Sequence, residues 1–293
     1  MNSPSDTLDR GDLLKAAMWM TGAIVSFISM AVAGRAVSFE LDTFEIMLFR
    51  SLTGIVIVTS VAVATGRLAE VRTNRLPLHI TRNIAHFTGQ NLWFYALTVI
   101  PLAQVFALEF STPVWVILLS PLLLGEPITR RKVLVGLIGF AGVLIVARPN
   151  PETLNAGVIA AASCAIGFAL TAIMTRKLTR TETITCILFW LTVLQGIFGL
   201  VMAGYDGDVA LPSAASVPWL LLIGCAGLLA HFCLTTALKL APASTVMPID
   251  FARLPLIVVI GMLFYAEPAE PLVLIGAVLI IGANWLNLRG NRT

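Results

Sequence analysis

The chain has 293 residues, of which 58% are hydrophobic and 12% charged, and its mean hydropathy is +0.91. Soluble globular domains carry about 25% charged residues, so the solvent of this chain is lipid. The formal charge of +3 and the pI near 8.8 come without a basic patch interleaved with aromatic residues, which excludes nucleic acid as a partner.

The first eleven residues are polar and lack the charged head, short apolar run and small-residue cleavage site of a signal peptide. The first apolar segment is therefore expected to stay as a helix of the bundle. A spanning helix needs roughly 20 mostly apolar residues. Ten stretches qualify: 13–34, 45–65, 79–99, 102–124, 133–147, 154–175, 184–204, 217–238, 243–266 and 272–288. No connection between them exceeds about a dozen residues, which leaves no room for an extramembrane catalytic domain. Cys164, Cys186, Cys225 and Cys233 all fall inside spans without metal-ligand spacing. They read as small apolar residues, and no metal or cofactor is expected.

Ionisable groups in the hydrocarbon cost roughly 2.5 to 3.5 kcal/mol each, so those that remain there carry information. In the second span, Arg50 sits about 7 to 8 Å from the outer end, where it can snorkel or face an acid across the bundle. The third span presents His86, Gln90 and Trp93 at spacings of four and three, hence on one helical face. Such a face suits a wet cavity that stacks and hydrogen-bonds an organic ligand, or polar contacts between helices. In the fourth span Glu109 lies eight residues beyond Pro101, and in the ninth Asp250 lies eight beyond Pro242. At about 1.5 Å per residue each carboxylate reaches roughly 12 Å into a core about 30 Å thick. Pro113 cannot donate to the carbonyl of Glu109, and Pro248 and Pro255 interrupt the ninth span around Asp250. Arg253, three residues beyond Asp250, can pair with it locally or hold a ligand. Gly136, Gly139, Gly142, Gly276 and Gly282 suit close helix packing, and Trp19, Trp219 and Trp285 read as interfacial anchors.

Laying the second half on the first with an offset of 141 aligns Arg35 with Arg176, Pro101 with Pro242, Glu109 with Asp250, and Phe110 with Phe251. Glu126-Pro127 then meets Glu267-Pro268, Phe27 meets Phe168, and Gln90 meets His231. Five spans per half make this an inverted repeat, with units at 12–147 and 153–288. The two acids then approach the midplane from opposite faces. Fifteen Lys and Arg, Arg82 among them, fall on the face holding the N-terminus and every second loop. Only Arg35 and Arg148 lie opposite, so both termini are expected to be cytoplasmic.

The run from Leu102 to Pro149, with its Glu-Phe-Ser-Thr-Pro, Leu-Gly-Glu-Pro-Ile-Thr-Arg-Arg-Lys and Gly-Phe-Ala-Gly-Val-Leu-Ile-Val-Ala-Arg-Pro segments, resembles the EamA branch of the drug/metabolite transporter superfamily. Phe49-Arg50, the run from Phe94 to Leu97 and Glu267-Pro268 extend the likeness over nearly the whole chain. The resemblance implies an all-α membrane protein of ten helices with both termini inside, and a central cavity lined by the first, third, fourth, sixth, eighth and ninth helices. The segments around Arg82-Asn83, His86 and Ala147-Arg148-Pro149 look most like bacterial members that move amino-acid-like metabolites, S-adenosylmethionine or riboflavin. Arg253 and the acid at Asp250 depart from any common pattern, so their roles rest on the residues alone.

The expectation is a secondary transporter of a small organic metabolite in the bacterial inner membrane, monomeric or homodimeric, working by alternating access as its two units rock. Glu109 and Asp250 sense a cationic group or a coupling proton, Gln90, Trp93, His86 and His231 shape the pocket, and Arg50 and Arg253 balance the charge. An intramembrane enzyme is the rival, and it needs a nucleophile, base or metal cluster. The sequence shows no paired His-Glu motif and no Gly-flanked serine.

Overall fold

A computed structural model describes residues 10–147, 155–205 and 207–265, with isolated positions between 271 and 286. Arg148, Pro149, Glu267, Pro268, Trp285 and most of the tenth span lie outside the described residues. All regular structure among the described residues is helical. In chain order come α1 (Arg10–Val37), α2 (Thr43–Ala64), a 3-10 turn (Leu68–Val71), α3 (Leu76–Val99), α4 (Leu102–Glu109), α5 (Thr112–Leu124) and α6 (Arg130–Ala147). The second half contributes α7 (Ala156–Leu178), α8 (Ile184–Ala203), α9 (Val217–Leu240), α10 (Ala243–Val246), a 3-10 segment (Met247–Ala252) and α11 (Arg253–Tyr265).

Seven segments among the described residues are long and apolar enough to cross a bilayer: α1, α2, α4 with α5, α7, α8, α9, and α10 through α11. Two further expected spans form helices that fall outside this set for different reasons. The 24 residues of α3 carry His79, Arg82, Asn83, His86 and Gln90, while α6 opens on Arg130, Arg131 and Lys132. The polar residues of α3 are turned inward, each 2% exposed or less, whereas Ile84 and Val99 on the same helix are 53% and 47% exposed. Large apolar side chains cover the outside elsewhere too, as at Met18, Leu122 and Leu263. This inside-out distribution is the one lipid selects.

Local signals fix the helix ends. Asp42 and Glu45 form a reciprocal capping box at α2, and the side chains of Asn155 and Thr183 cap α7 and α8. Gly125, with φ +70°, ends α5 in the left-handed conformation that a side chain disfavours. The matched Glu-Pro pair also has a structural task in the first half. The Glu126 carboxylate accepts hydrogen bonds from the backbone N–H groups of Ala243 and Ser244 at 3.3 Å and from the Ser244 hydroxyl at 2.8 Å, capping α10. Pro101 and Pro242 precede their helices with the same φ of −57° and ψ of 145°.

The most extensive helix packing joins α1 to α9, α3 to α7 and α2 to α8. Each pair takes one helix from each half. The α3–α7 contact depends on glycine: a Cβ on Gly167 would lie 2.8 Å from the Ala85 carbonyl oxygen and 3.1 Å from the Gly89 Cα. Neither backbone can give way without separating the helices. Gly167→Ala is therefore expected to destabilise the protein by about 1–3 kcal/mol. Gly282→Ala, where nothing lies within 4 Å, is the neutral control, with melting in detergent as the measurement. Of the other glycines assigned to packing, Gly136 abuts Ile117 and Gly139 abuts the Phe251 ring.

Outside the spans, Glu40 ties the α1–α2 loop to the segment before α9. It accepts from the Ser213 N–H and hydroxyl, at 2.5 and 2.9 Å, and from the Ser216 hydroxyl. The Ser216 hydroxyl, then the two Ser213 groups, hold this carboxyl below its ordinary value of 4.5. A depressed folded value means the clamp contributes fully above the unfolded value and is lost as the pH falls through the folded one. Amide protection of residues 210–217, corrected for intrinsic exchange, is expected to hold at neutral pH and to fall below pH 4.5. In Glu40→Gln it should already be low at neutral pH.

Candidate functional site

Glu109 is the last residue of α4, where the chain breaks before Pro113. The carbonyl that Pro113 cannot serve is taken by the Thr112 hydroxyl, which donates to it at 2.6 Å. The break thus satisfies its own backbone and leaves the Glu109 side chain directed into the bundle. Its counterpart Asp250 lies in the 3-10 segment between α10 and α11, so both expected interruptions occur and both hold an acid.

Arg253, the first residue of α11, joins the two. Its Nη2 donates to Glu109 Oε1 at 2.5 Å and to Asp250 Oδ2 at 2.7 Å. The other Glu109 oxygen accepts from Trp93 Nε1 at 2.7 Å. Three phenyl rings surround the guanidinium, with the centroids of Phe27 and Phe110 at 5.0 Å and that of Phe106 at 5.2 Å. All three charged side chains are buried, and two carboxylates against one guanidinium leave a formal charge of −1.

Beyond this cluster the same cavity is lined by His86, Gln90, Trp93 and His231. The imidazoles of His86 and His231 meet edge to face at 4.7 Å between centroids. Phe168 flanks His86 at 6.1 Å and Phe27 flanks His231 at 5.8 Å. Seven of the eight candidate residues therefore converge on one cavity fed by α1, α3, α4, α7, α9 and the broken helix around Asp250. Its interior admits the centre of a water-sized molecule over about 50 Å³, a space for water and not for a whole organic metabolite. An organic metabolite requires the surrounding helices to open.

Polar atoms inside this space lack partners. Both ring nitrogens of His86, Nε2 of Gln90, Nε2 of His231, Oδ1 of Asp250 and Nε of Arg253 are buried without a hydrogen bond. Buried polar groups are almost always satisfied, and a cluster of exceptions in one cavity marks a place where a solute completes the bonding.

Arg50 does not join them. It is buried between α2, α8 and α9, with Nη1 at 3.4 Å from Met47 Sδ and its guanidinium against Gly227. It lines a separate small void with Ser51, Thr192 and Gln195, so it neither snorkels nor faces Glu109. Its face of α2 looks toward α8 and α9, away from α4. Arg82, counted among the cations of the N-terminal face, is also interior at 1% exposed. It donates through Nε to the Thr175 hydroxyl at 3.1 Å and through Nη1 to Asn83 Oδ1 at 3.2 Å. Phe27, Phe168, Met30 and Thr112 are further cavity walls. Only the Phe27–Phe168 repeat match signalled any of them.

A model of the EamA-like transporter family matches residues 14–148 and again 155–289. An S-adenosylmethionine uptake transporter of Rickettsia conorii is 26% identical over 263 residues, covering 90% of this chain and 88% of that protein. A riboflavin transporter of Vibrio cholerae is 28% identical over 273 residues, covering 92% and 91%. A riboflavin transporter of Brucella anthropi reaches 31% identity over 75% of this chain and 78% of its own. A solved crystal structure superposes with a TM-score of 0.76 over 92% of this chain and 95% of the other. At 17% identity that likeness speaks for the fold alone. With both halves matched, the chain belongs to the EamA-like transporter family and is a multi-pass membrane transporter, not an enzyme.

Proposed function

We propose that the cavity between Glu109, Asp250, His86 and His231 is the substrate site of an alternating-access carrier for a small organic metabolite bearing a cationic group. One observation carries this reading: partnerless polar atoms and an unbalanced carboxylate share a buried space at the junction of helices from both halves. The excess negative charge suits an amino-acid-like or sulfonium-bearing solute, or a coupling proton, better than a neutral ring. The similarity to transporters of S-adenosylmethionine and of riboflavin brings both chemistries into the test.

Ten spans in two inverted repeats, with both termini at the cytoplasmic face of the inner membrane, complete the proposal. Its support is the exchange of packing partners. Under the offset of 141, α1 corresponds to α7 and α9 to α3, so the α1–α9 pair maps onto the α7–α3 pair, as a two-fold between the halves requires, and the odd number of spans per half makes that two-fold an inverted one. Because these tight pairs each mix the two halves, the moving bodies are the α1–α9 and α3–α7 pairs, and the sequence halves do not move as units. The narrow cavity is then the state in which the two pairs meet.

The test is thermal stabilisation of purified protein by a panel of metabolites, since a ligand at a hundred times its dissociation constant adds about 2.7 kcal/mol. Stabilisation by S-adenosylmethionine or a cationic amino acid is expected. A response to riboflavin alone would remove the charge argument, and a flat response to all would remove the substrate class.

A further inference from the structure

At the end of the bundle where α3 and α8 begin, another set of side chains lies apart from the cavity. His79, in the first turn of α3, is fully buried, and neither ring nitrogen has a hydrogen-bond partner. Cys186, in the first turn of α8, and Glu182, in the turn before it, face His79. One donor atom from each of the three lies within 4.8 Å of the other two. We propose that His79, Glu182 and Cys186 bind a single zinc-class divalent cation.

The donor set selects the ion. An imidazole nitrogen, a thiolate and a carboxylate together suit zinc or a neighbouring borderline metal, whereas magnesium and calcium require oxygen throughout. On binding, the Cys186 thiol releases its proton to solvent, and the thiolate and carboxylate together neutralise the double charge. Metal–donor bonds of about 2.0 to 2.3 Å place tetrahedral donors roughly 3.5 Å apart, so the three groups draw in by about an ångström. The carbonyl oxygens of Val71 and Arg72, 3.8 and 4.0 Å from Cys186 Sγ, or a water, supply the fourth position.

The surroundings have the form of an outer shell. The Thr73 hydroxyl donates to Glu182 Oε1 at 2.7 Å and fixes the carboxylate. The Trp190 indole donates to the Val71 carbonyl at 3.0 Å while its ring lies 6.2 Å from that of His79. Sequence spacing conceals the set, because His79 belongs to the first half and Glu182 and Cys186 to the second. The ion would therefore bridge the two halves and pin the 3-10 connector between α2 and α3.

The test uses full-length protein, purified in detergent and stripped with chelator, then titrated with zinc against a chromophoric competitor and separately with cobalt(II). One zinc per chain and a thiolate-to-cobalt charge-transfer band are expected from the wild type. Cys186→Ser should abolish the band and weaken zinc at least about 100-fold, and Thr73→Val should weaken it about 10-fold through the carboxylate. Folded wild type that takes up no stoichiometric zinc, a cobalt complex without the band, or unchanged binding in Cys186→Ser each overturns the proposal. Should His79→Ala fail to fold, the wild-type spectrum and Cys186→Ser decide alone.

Discussion

Replacing Arg253 with methionine is expected to abolish uptake in proteoliposomes and to destabilise the protein by about 3–5 kcal/mol, the usual cost of removing one partner from a buried ion pair. The guanidinium is the only cation touching Glu109 and Asp250 among the described residues, and all three residues are buried. Methionine fills much of the volume among Phe27, Phe106 and Phe110, so a packing defect accounts for little of the loss. What remains is two carboxylates facing each other without a countercharge, and one must then take up a proton. Adding Asp250→Asn removes that conflict. The double variant should therefore melt closer to wild type than Arg253→Met alone, while still failing to transport. Measuring both melting and uptake separates the two roles, and an Arg253→Met protein that melts and transports as wild type would refute the bridge.

That bridge shows where sequence reading reaches its limit. The acids were found because the offset of 141 and the prolines eight residues before each acid are one-dimensional facts, and breaks in a helix are local chemistry. The shared face of His86, Gln90 and Trp93 follows from helical period alone. The i,i+3 pair of Arg253 with Asp250 was visible for the same reason. Contact between Arg253 and Glu109 was not, because it joins helices of opposite halves and depends on how each is rotated about its axis. Arg50 failed on the same ground: depth in the membrane can be counted from a span's end, but the direction a residue faces cannot. Arg82 misled differently. Six residues inside α3, it counted as an ordinary cation of the loop face, yet Thr175 and Asn83 draw it into the interior. The polar stripe that makes α3 less apolar than its neighbours is also the one that supplies His86 and Gln90 to the cavity wall.

Asp250→Asn and Glu109→Gln, though equivalent under the repeat, are expected to fail in different ways. Both oxygens of Glu109 are engaged, one with Arg253 and one with Trp93, while Oδ1 of Asp250 has no partner and belongs to the cavity lining. The free oxygen is the one positioned to meet a substrate's cationic group. Asparagine still offers an oxygen to Arg253 but removes the charge, and a charge-assisted hydrogen bond contributes about 1.5–3 kcal/mol. The KM of Asp250→Asn for a cationic substrate should therefore rise roughly 10- to 100-fold with little change in melting. If Asp250 also carries the coupling proton, the pH dependence of uptake flattens in the same variant. Glutamine at 109 keeps one acceptor where Trp93 and Arg253 need two, leaving a buried donor unpaired at about 1–3 kcal/mol. Its first symptom should be lowered stability, with KM less affected. A Glu109→Gln protein that loses affinity while Asp250→Asn loses only stability would reverse the assignment, placing the substrate at α4 and the structural clamp at the broken ninth span.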